Sequence, residues 1–429
     1  MGTDITPVIV GALQCQKNSF LKEFQTIVIS CKEEKPEPSA KNKKSKSKSV
    51  DQEPQTTKYA VELEDTILFP EGGGQPSDKG TIVTSNDKEY GVSYIRRDQL
   101  RAVHLVDEPI EVGTKVNLKL DWKRRLDHMQ QHTGQHLLSA VLDKYELPTL
   151  SWSMGELINY IELPRSLTDD EVDKISEEVN DKIAESIPIS VEIPDKELVN
   201  KQKMPDDYDL DKGILRVIKI GELDQNPCCG THLSSTSQIL SIALLHQTSV
   251  RGTNSRLHFL AGDRVRKYAI YSHGLLKKSS QELSCQFDEL NNKIQQLNIN
   301  YKKTLKNESS WKEEIANYQS NEILTKLETS QIAFIHRPDV GLDYLTFIFK
   351  SVSKSIPKDK TVILLSGEGQ TGGSLIIFGS NLDKINEITK SLQSKIKGLK
   401  GGGKGKWQGK INSFEKGELE DALNYLKSL

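Results

Sequence analysis

Two pentapeptides hold the residues best suited to chemistry: His132-Thr133-Gly134-Gln135-His136 and Cys228-Cys229-Gly230-Thr231-His232. Each places two nitrogen or sulfur donors four positions apart, and together they can supply four ligands for one zinc ion. Zinc favours imidazole and thiolate in tetrahedral sites. On a helix, positions i and i+4 share a face, so His132 and His136 can reach one ion from one surface. His128 sits one turn earlier and could join, which leaves the helical pair open at this level. Two histidines on a helix face are by themselves an ordinary amphipathic feature. The second cluster repeats the spacing, with Pro227 and Gly230 to shape a tight turn, and that repetition favours a metal. A zinc protease of the HExxH type is disfavoured, because Thr133 stands where its general base belongs. Four protein donors would close a structural shell, whereas water activation needs an open or a fifth position. The residues alone leave both readings standing.

These donors must be carried by regular elements. From Trp122 to about Tyr145 the apolar residues Leu126, Met129, Leu137, Leu138, Val141 and Leu142 fall at three-and-four spacing, which predicts a helix beneath the first pentapeptide. A second helix is expected over 168–187, capped by Thr168 with Glu171 three positions on. Short strands are expected at 8–10, 26–30, 59–69, 80–84, 90–96, 103–105 and 115–120, with turns at 71–76 and 78–80. That rhythm suggests a small antiparallel β-barrel in front of the helix. Further strands are expected near 189–193, 214–220, 238–246 and 256–260. Leu283, Phe287, Leu290, Ile294, Leu297 and Tyr301 then step by four and three, a coiled-coil-like helical signal. Strands at 332–336, 361–366 and 374–379 and helices at 342–353, 383–396 and 417–428 suggest a last small α/β unit with one layer of helices on a sheet. The expected class is α+β, divided into a barrel-like domain (1–117), a zinc-binding domain (118–262), a helical segment (263–330) and a C-terminal α/β domain (331–429).

The chain has 429 residues, 28% of them charged, and a formal net charge of −2, so any nucleic-acid surface must be a local patch. No apolar run approaches the ~18 residues of a membrane span, and no basic-then-apolar leader opens the sequence. The first six residues fit a myristoylation pattern only formally, with no basic neighbours to add a second anchor. Five cysteines, an odd number without a leader, suggest reduced thiols and a cytosolic protein. Residues 32–58 turn to Lys, Glu, Pro, Ser and Gln and read as a disordered insertion. Lys395, Lys397, Lys400, Lys404, Lys406 and Lys410 around Trp407 form the densest basic–aromatic patch, suited to RNA. Gly398 to Lys404 nearly spells a phosphate-binding loop, but Gly405 stands where Ser or Thr must bind magnesium.

Taken together, the motifs resemble the editing domain of alanyl-tRNA synthetase, and more closely the free-standing alanyl-tRNA editing proteins of the AlaX-like group. Besides the two pentapeptides, the resemblance rests on Thr66-Ile67-Leu68-Phe69-Pro70-Glu71-Gly72-Gly73-Gly74-Gln75-Pro76 with Asp78 and Gly80. It rests also on Asp121-Trp122-Lys123-Arg124-Arg125 leading to His128-Met129-Gln130-Gln131, on Arg216-Val217-Ile218-Lys219-Ile220, and on Arg256-Leu257-His258-Phe259. The six stand in order over roughly 60–262. The segment around Gly401-Gly402-Gly403-Lys404-Gly405 resembles more loosely the domain that follows editing in the synthetase, so the chain looks like the long form of the group.

The resemblance implies a metal site of His132, His136, Cys228 and His232 holding one zinc ion. It implies hydrolysis of mischarged tRNA(Ala), chiefly seryl-tRNA(Ala) and secondarily glycyl-tRNA(Ala), with no aminoacylation, since no activation domain precedes the glycine motif. Matching position makes Thr66 and Gln135 candidates for contacts to the seryl hydroxyl. The family usually has glycine where this chain has Cys229, so a second thiol competes with Cys228. Leu68 replaces the usual aromatic. The rival readings are a non-catalytic tRNA-binding protein with a structural zinc, a metallohydrolase acting on another ester, and a scaffold that oligomerises through the helical segment.

Overall fold

The computed structural model describes residues 6–34, 57–193 and 214–429. Most of the expected 32–58 insertion therefore lies outside the described residues. The chain divides into two compact units, Met1–Leu276 and Lys277–Leu429.

The strand expected at 8–10 is absent, those residues being irregular, and the first regular element is a short helix, α1 (Gln14–Lys17). Seven strands follow: β1 (Glu23–Glu34), β2 (Lys58–Leu63), β3 (Gly80–Thr84), β4 (Glu89–Val92), β5 (Tyr94–Asp98), β6 (Arg101–Val106) and β7 (Lys115–Leu120). They form one antiparallel sheet in the order β4-β3-β7-β1-β2-β6-β5. The expected barrel is thus corrected to an open sheet. The long strand β1 pairs with β7 over Glu23–Ile27, then changes partner at an irregularity between Val28 and Ser30 and pairs with β2. Such a bulge bends a strand and raises its twist. The edge strands β4 and β5 are successive in the chain with only Ser93 between them, so the two edges are joined covalently and not by a ladder. Val28, Val61, Ile82, Ile95, Val106 and Leu118 fill the interior.

Helix α2 (Trp122–Asp143) follows, started by the Asp121 side chain, which accepts from the Arg124 amide at 3.1 Å. Every residue from His128 to Leu142 is buried. A helix sunk on all sides must satisfy its polar side chains internally. Gln131 does so against the backbone of Ala261 and the Asn159 side chain. Arg125, fully buried, forms an ion pair with fully buried Asp78 and donates to the carbonyls of Ser19 and Ile67, binding α2 to the sheet before it. Then come β8 (Ser151–Ser153), β9 (Asn159–Leu163), α3 (Asp169–Ala184), β10 (Ile189–Glu192), β11 (Val217–Ile220), β12 (Asp224–Pro227), β13 (Ile242–Ser249) and β14 (Ser255–Ala261). Thr168 and Glu171 cap α3 reciprocally. Strands β10-β11-β12 make one small sheet and β13-β14-β9-β8 another. Met129, Leu137, Val141, Ile161, Ile175 and Phe259 share the core between α2, α3 and the latter sheet.

The division between units falls inside α4 (Asp263–Leu283). A break at 284–289, with Ser284 at positive φ, separates it from α5 (Leu290–Thr329), so Leu283 and Phe287 do not continue the helix of Leu290 as the spacing suggested. Ile294, Leu297 and Tyr301 are exposed on α5, while its last turns bury Ala316, Ile323 and Leu327. The second unit continues with β15 (Ile332–Arg337), α6 (Leu342–Val352), β16 (Thr361–Ser366), β17 (Gly373–Gly379), α7 (Leu382–Lys395), β18 (Leu399–Gly402), β19 (Lys406–Ile411) and α8 (Glu418–Lys427). Its sheet runs β15-β16-β17-β19-β18, with only β15 and β16 parallel. Helices cover both faces, which corrects the single layer expected. Val362 and Leu364 of β16 face α5 and α6, while Ile363 and Leu365 face α7 and α8. A strand apolar at four successive positions, Val362 to Leu365, has two faces to bury.

Candidate metal centre

The middle of α2 presents His132 and His136, and the turn after β12 presents Cys228 and His232. One ligand atom from each lies within 4.8 Å of the other three. The Cys228 Sγ is 3.3 Å from His132 Nε2 and 3.2 Å from His232 Nε2. The imidazoles crowd together, with the His132 and His232 ring centres 4.6 Å apart. His128 does not join this group; it is buried on α2 with its Nδ1 unpartnered. The Cys228 sulfur, not that of Cys229, lies among the imidazoles. The Cys229 Sγ instead lies beneath the glycine turn, where a Cβ on Gly73 would come within 2.9 Å of it.

Second contacts aim the donors. Gln75 is fully buried and its Oε1 sits 2.9 Å from His132 Nδ1 and accepts from the Thr231 amide at 3.0 Å. Its Nε2 donates to Thr231 Oγ1 at 2.9 Å. A carbonyl oxygen only accepts, so His132 carries its proton on Nδ1 and turns the Nε2 lone pair toward Cys228. The Thr133 hydroxyl lies 3.3 Å from His232 Nδ1 and accepts from the Leu233 amide, so it holds that ring in place without fixing its tautomer. The His136 Nε2 is buried and has no hydrogen-bond partner. Arg216 donates to the carbonyls of Cys228, Gly230 and Gln16, and Gln16 donates to the Cys229 carbonyl, so the turn is held from behind. A Cβ at Gly230 would come within 2.4 Å of the His132 ring, so only glycine fits there.

Burial sets the electrostatics. It lowers His136 to about 4 and, with the neighbouring histidines and Arg216, holds His132 and His232 well below the usual range. Burial also pushes the Cys228 thiol up to about 12. Three neutral imidazoles offer bare lone pairs, and a buried thiol gives up its proton only when a cation compensates it. The orphaned His136 nitrogen and the converging donors fit a metal ion.

The other two predicted residues are engaged elsewhere. The Thr66 hydroxyl lies 2.9 Å from His104 Nε2 and accepts from the Leu68 amide at 3.0 Å, and the Gln135 Nε2 donates to Ser139 at 2.8 Å. Among the described residues, neither hydrogen-bonds to the four donors. Sequence reasoning missed Gln75 as the holder of His132, having placed it only in a turn at 71–76. It missed Trp152 too, whose ring lies 4.9 Å from His132 and under Gly74. Gly73 and Gly74 do adopt positive φ, 60° and 79°. A glutamine ending a glycine run was the available signal.

Residues 15–124 match the family model described as tRNA synthetases class II (A), and residues 215–258 match the one described as threonyl and alanyl tRNA synthetase second additional domain. The chain is 42% identical to the putative alanyl-tRNA editing protein alaX of Saccharomyces cerevisiae, covering 99% of this chain and 98% of that protein. It is 32% identical to the alanyl-tRNA editing protein Aarsd1 of Mus musculus over 96% of this chain and 97% of that one. It is 34% identical to the alanyl-tRNA editing protein AlaX-L of Pyrococcus horikoshii, there over 51% of this chain and 55% of that protein. The chain belongs to the alanyl-tRNA editing proteins.

Proposed function

We propose that this protein is a trans-editing aminoacyl-tRNA deacylase that hydrolyses mischarged tRNA(Ala), chiefly seryl-tRNA(Ala) and secondarily glycyl-tRNA(Ala), at a site built around one zinc ion. The observation that carries the reading is the convergence of three imidazoles and one thiol, with the His136 nitrogen buried and unpaired. Zinc bonds of about 2.3 Å to sulfur and about 2.05 Å to nitrogen at tetrahedral angles separate N from S by about 3.6 Å. The observed 3.2 and 3.3 Å lie close to that, and all four ligand atoms lie within 4.8 Å of one another. When bound, zinc supplies a Lewis acid that can polarise or orient the ester. The protein supplies the rest. Gln75 and Thr133 hold the ligand rings, Trp152 walls His132, and Thr66 and Gln135 are the groups proposed to meet the aminoacyl side chain. A site shaped for alanine excludes an added hydroxyl poorly, whereas a site that hydrogen-bonds that hydroxyl rejects alanine strongly.

The four-part division expected from the sequence, with editing over 118–262 and a synthetase-like C-terminal domain over 331–429, belongs to the same proposal, as does tRNA contact by the C-terminal lysines. Lys400 stands directly opposite Lys410 across β18 and β19. Like charges in that position destabilise a sheet, and a polyanion relieves the cost. Among the described residues, no helix is long and apolar enough to cross a membrane. One observation favours a second reading: four protein donors already fill a tetrahedral shell, as in a structural zinc of a tRNA-binding protein. Deacylation of seryl-tRNA(Ala), with zinc measured in the same preparation and with His132→Ala and Cys228→Ala alongside, separates the two. The catalytic reading expects hydrolysis that both substitutions abolish in a folded protein. Wild-type protein that binds zinc and tRNA but leaves the ester intact would establish the structural reading.

A further inference from the structure

His104 is fully buried on β6, a polar ring with both nitrogens hydrogen-bonded. Its Nδ1 lies 3.1 Å from the carbonyl oxygen of Val61 and its Nε2 lies 2.9 Å from the Thr66 hydroxyl. The proton positions follow from the partners. A carbonyl can only accept, so Nδ1 carries the hydrogen and Nε2 is bare. A bare ring nitrogen can only accept, so the Thr66 hydroxyl gives its proton to His104. The Leu68 amide donates to Thr66 Oγ1 and occupies one of its two lone pairs. Burial lowers His104 to about 4, which keeps the ring in this neutral form. Thr66 is left with one free lone pair and no proton to offer. It is 2% exposed, so that lone pair is shielded from bulk water, where a hydrogen bond discriminates most.

Thr66 also stands in the framework of the metal cluster. It opens the segment that ends at Gln75, the residue holding His132. Its carbonyl accepts from the Cys15 amide, and the next residue, Gln16, donates to the Cys229 carbonyl.

We propose that His104 is a positioning residue that makes Thr66 an obligate hydrogen-bond acceptor, and so restricts the favoured aminoacyl group to one carrying a hydroxyl donor, serine over glycine and alanine. This rests on the reading that Thr66 meets the aminoacyl side chain. A hydroxyl free to rotate could donate or accept and would tolerate more partners; a hydroxyl whose proton is committed recognises only a donor.

The test compares kcat/KM for seryl-, glycyl- and alanyl-tRNA(Ala) in the full chain. The selectivity ratio is the readout, because a change in folded fraction lowers all three rates alike and leaves the ratio intact. In His104→Phe the hydroxyl loses its acceptor, and the seryl preference is expected to fall roughly tenfold or more. In His104→Gln the side-chain oxygen can take the Thr66 proton while the amide donates to Val61, so the preference is expected to stay within about threefold of wild type. Thr66→Val should lose the preference. If Thr66→Val loses it and His104→Phe keeps it, the role of His104 is refuted and that of Thr66 stands. If Thr66→Val keeps it, the underlying reading of Thr66 fails and the inference falls with it. Should His104→Phe not fold, a folded His104→Gln that loses the preference refutes the proposal on its own.

Discussion

Replacing Gln75 with alanine tests how the metal centre is held. The carboxamide is fully buried and makes three hydrogen bonds: its oxygen to His132 Nδ1 and the Thr231 amide, its nitrogen to Thr231 Oγ1. Truncation strands two buried donors, the His132 ring N–H and the Thr231 amide. Each unpaired donor costs about 1–3 kcal/mol, so metal-free protein should lose about 2–6 kcal/mol, less where water enters to serve one of them. The second effect falls on the ligand. Without Gln75, His132 can change tautomer or rotate, and loss of such a supporting contact weakens metal binding by about 10–100-fold. That equals about 1.4–2.8 kcal/mol. Zinc affinity is read by competition with a chromophoric chelator, and stability by urea unfolding of the metal-free protein, which separates the two terms. Gln75→Glu keeps an acceptor for both donors and should retain most of the affinity. A Gln75→Ala protein that binds zinc as tightly as wild type would refute this account of how His132 is aimed.

Gly230→Ala places a methyl 2.4 Å from the His132 ring and 2.8 Å from Gln75 Oε1, so bound zinc should drop well below one per chain by elemental analysis; full occupancy would show that the turn yields. Arg125→Met leaves Asp78 buried and unpaired and should lower stability by about 3–5 kcal/mol in urea; a loss below 1 kcal/mol would mean the pair contributes little to holding α2. His104 and His128 are held near 4 by burial, against an ordinary value of 6.5. The unfolded chain therefore takes up protons that the fold excludes, and the stability from these rings, complete above 6.5, drains away as the pH falls toward 4. Two such groups give a slope of up to about 2.7 kcal/mol per pH unit, and a flat urea midpoint between pH 7 and 5 would contradict it. Lys400→Glu replaces a like-charge cross-strand pair with an opposite one and should stabilise the C-terminal sheet while weakening tRNA binding; unchanged affinity at low salt would remove the lysines from the interface.

Local features were legible because their physics is local. Four-residue spacing places His132 and His136 on one face of α2, Asp121 starts that helix, and Thr168 with Glu171 starts α3 within one residue of the expected position. The failures share a cause as well. Even strand rhythm says nothing about which edges pair, so the partner change of β1 near Val28, within what is an open sheet and not a barrel, left no pattern to read. Similarly, β16 is apolar at successive positions, and only the path of the later chain shows that helices come to lie on both its faces.

By itself the sequence determined the donor types, their spacing and the helix that carries two of them, since these follow from backbone geometry over a few residues. Only the tertiary structure decided that Cys228 and not Cys229 faces the imidazoles, that His128 stands outside the group, and that Gln75 and His104 set the proton positions of His132 and Thr66. Those outcomes depend on contacts between segments dozens of residues apart, and such contacts are chosen by the packing of the whole core rather than by any neighbour in the chain.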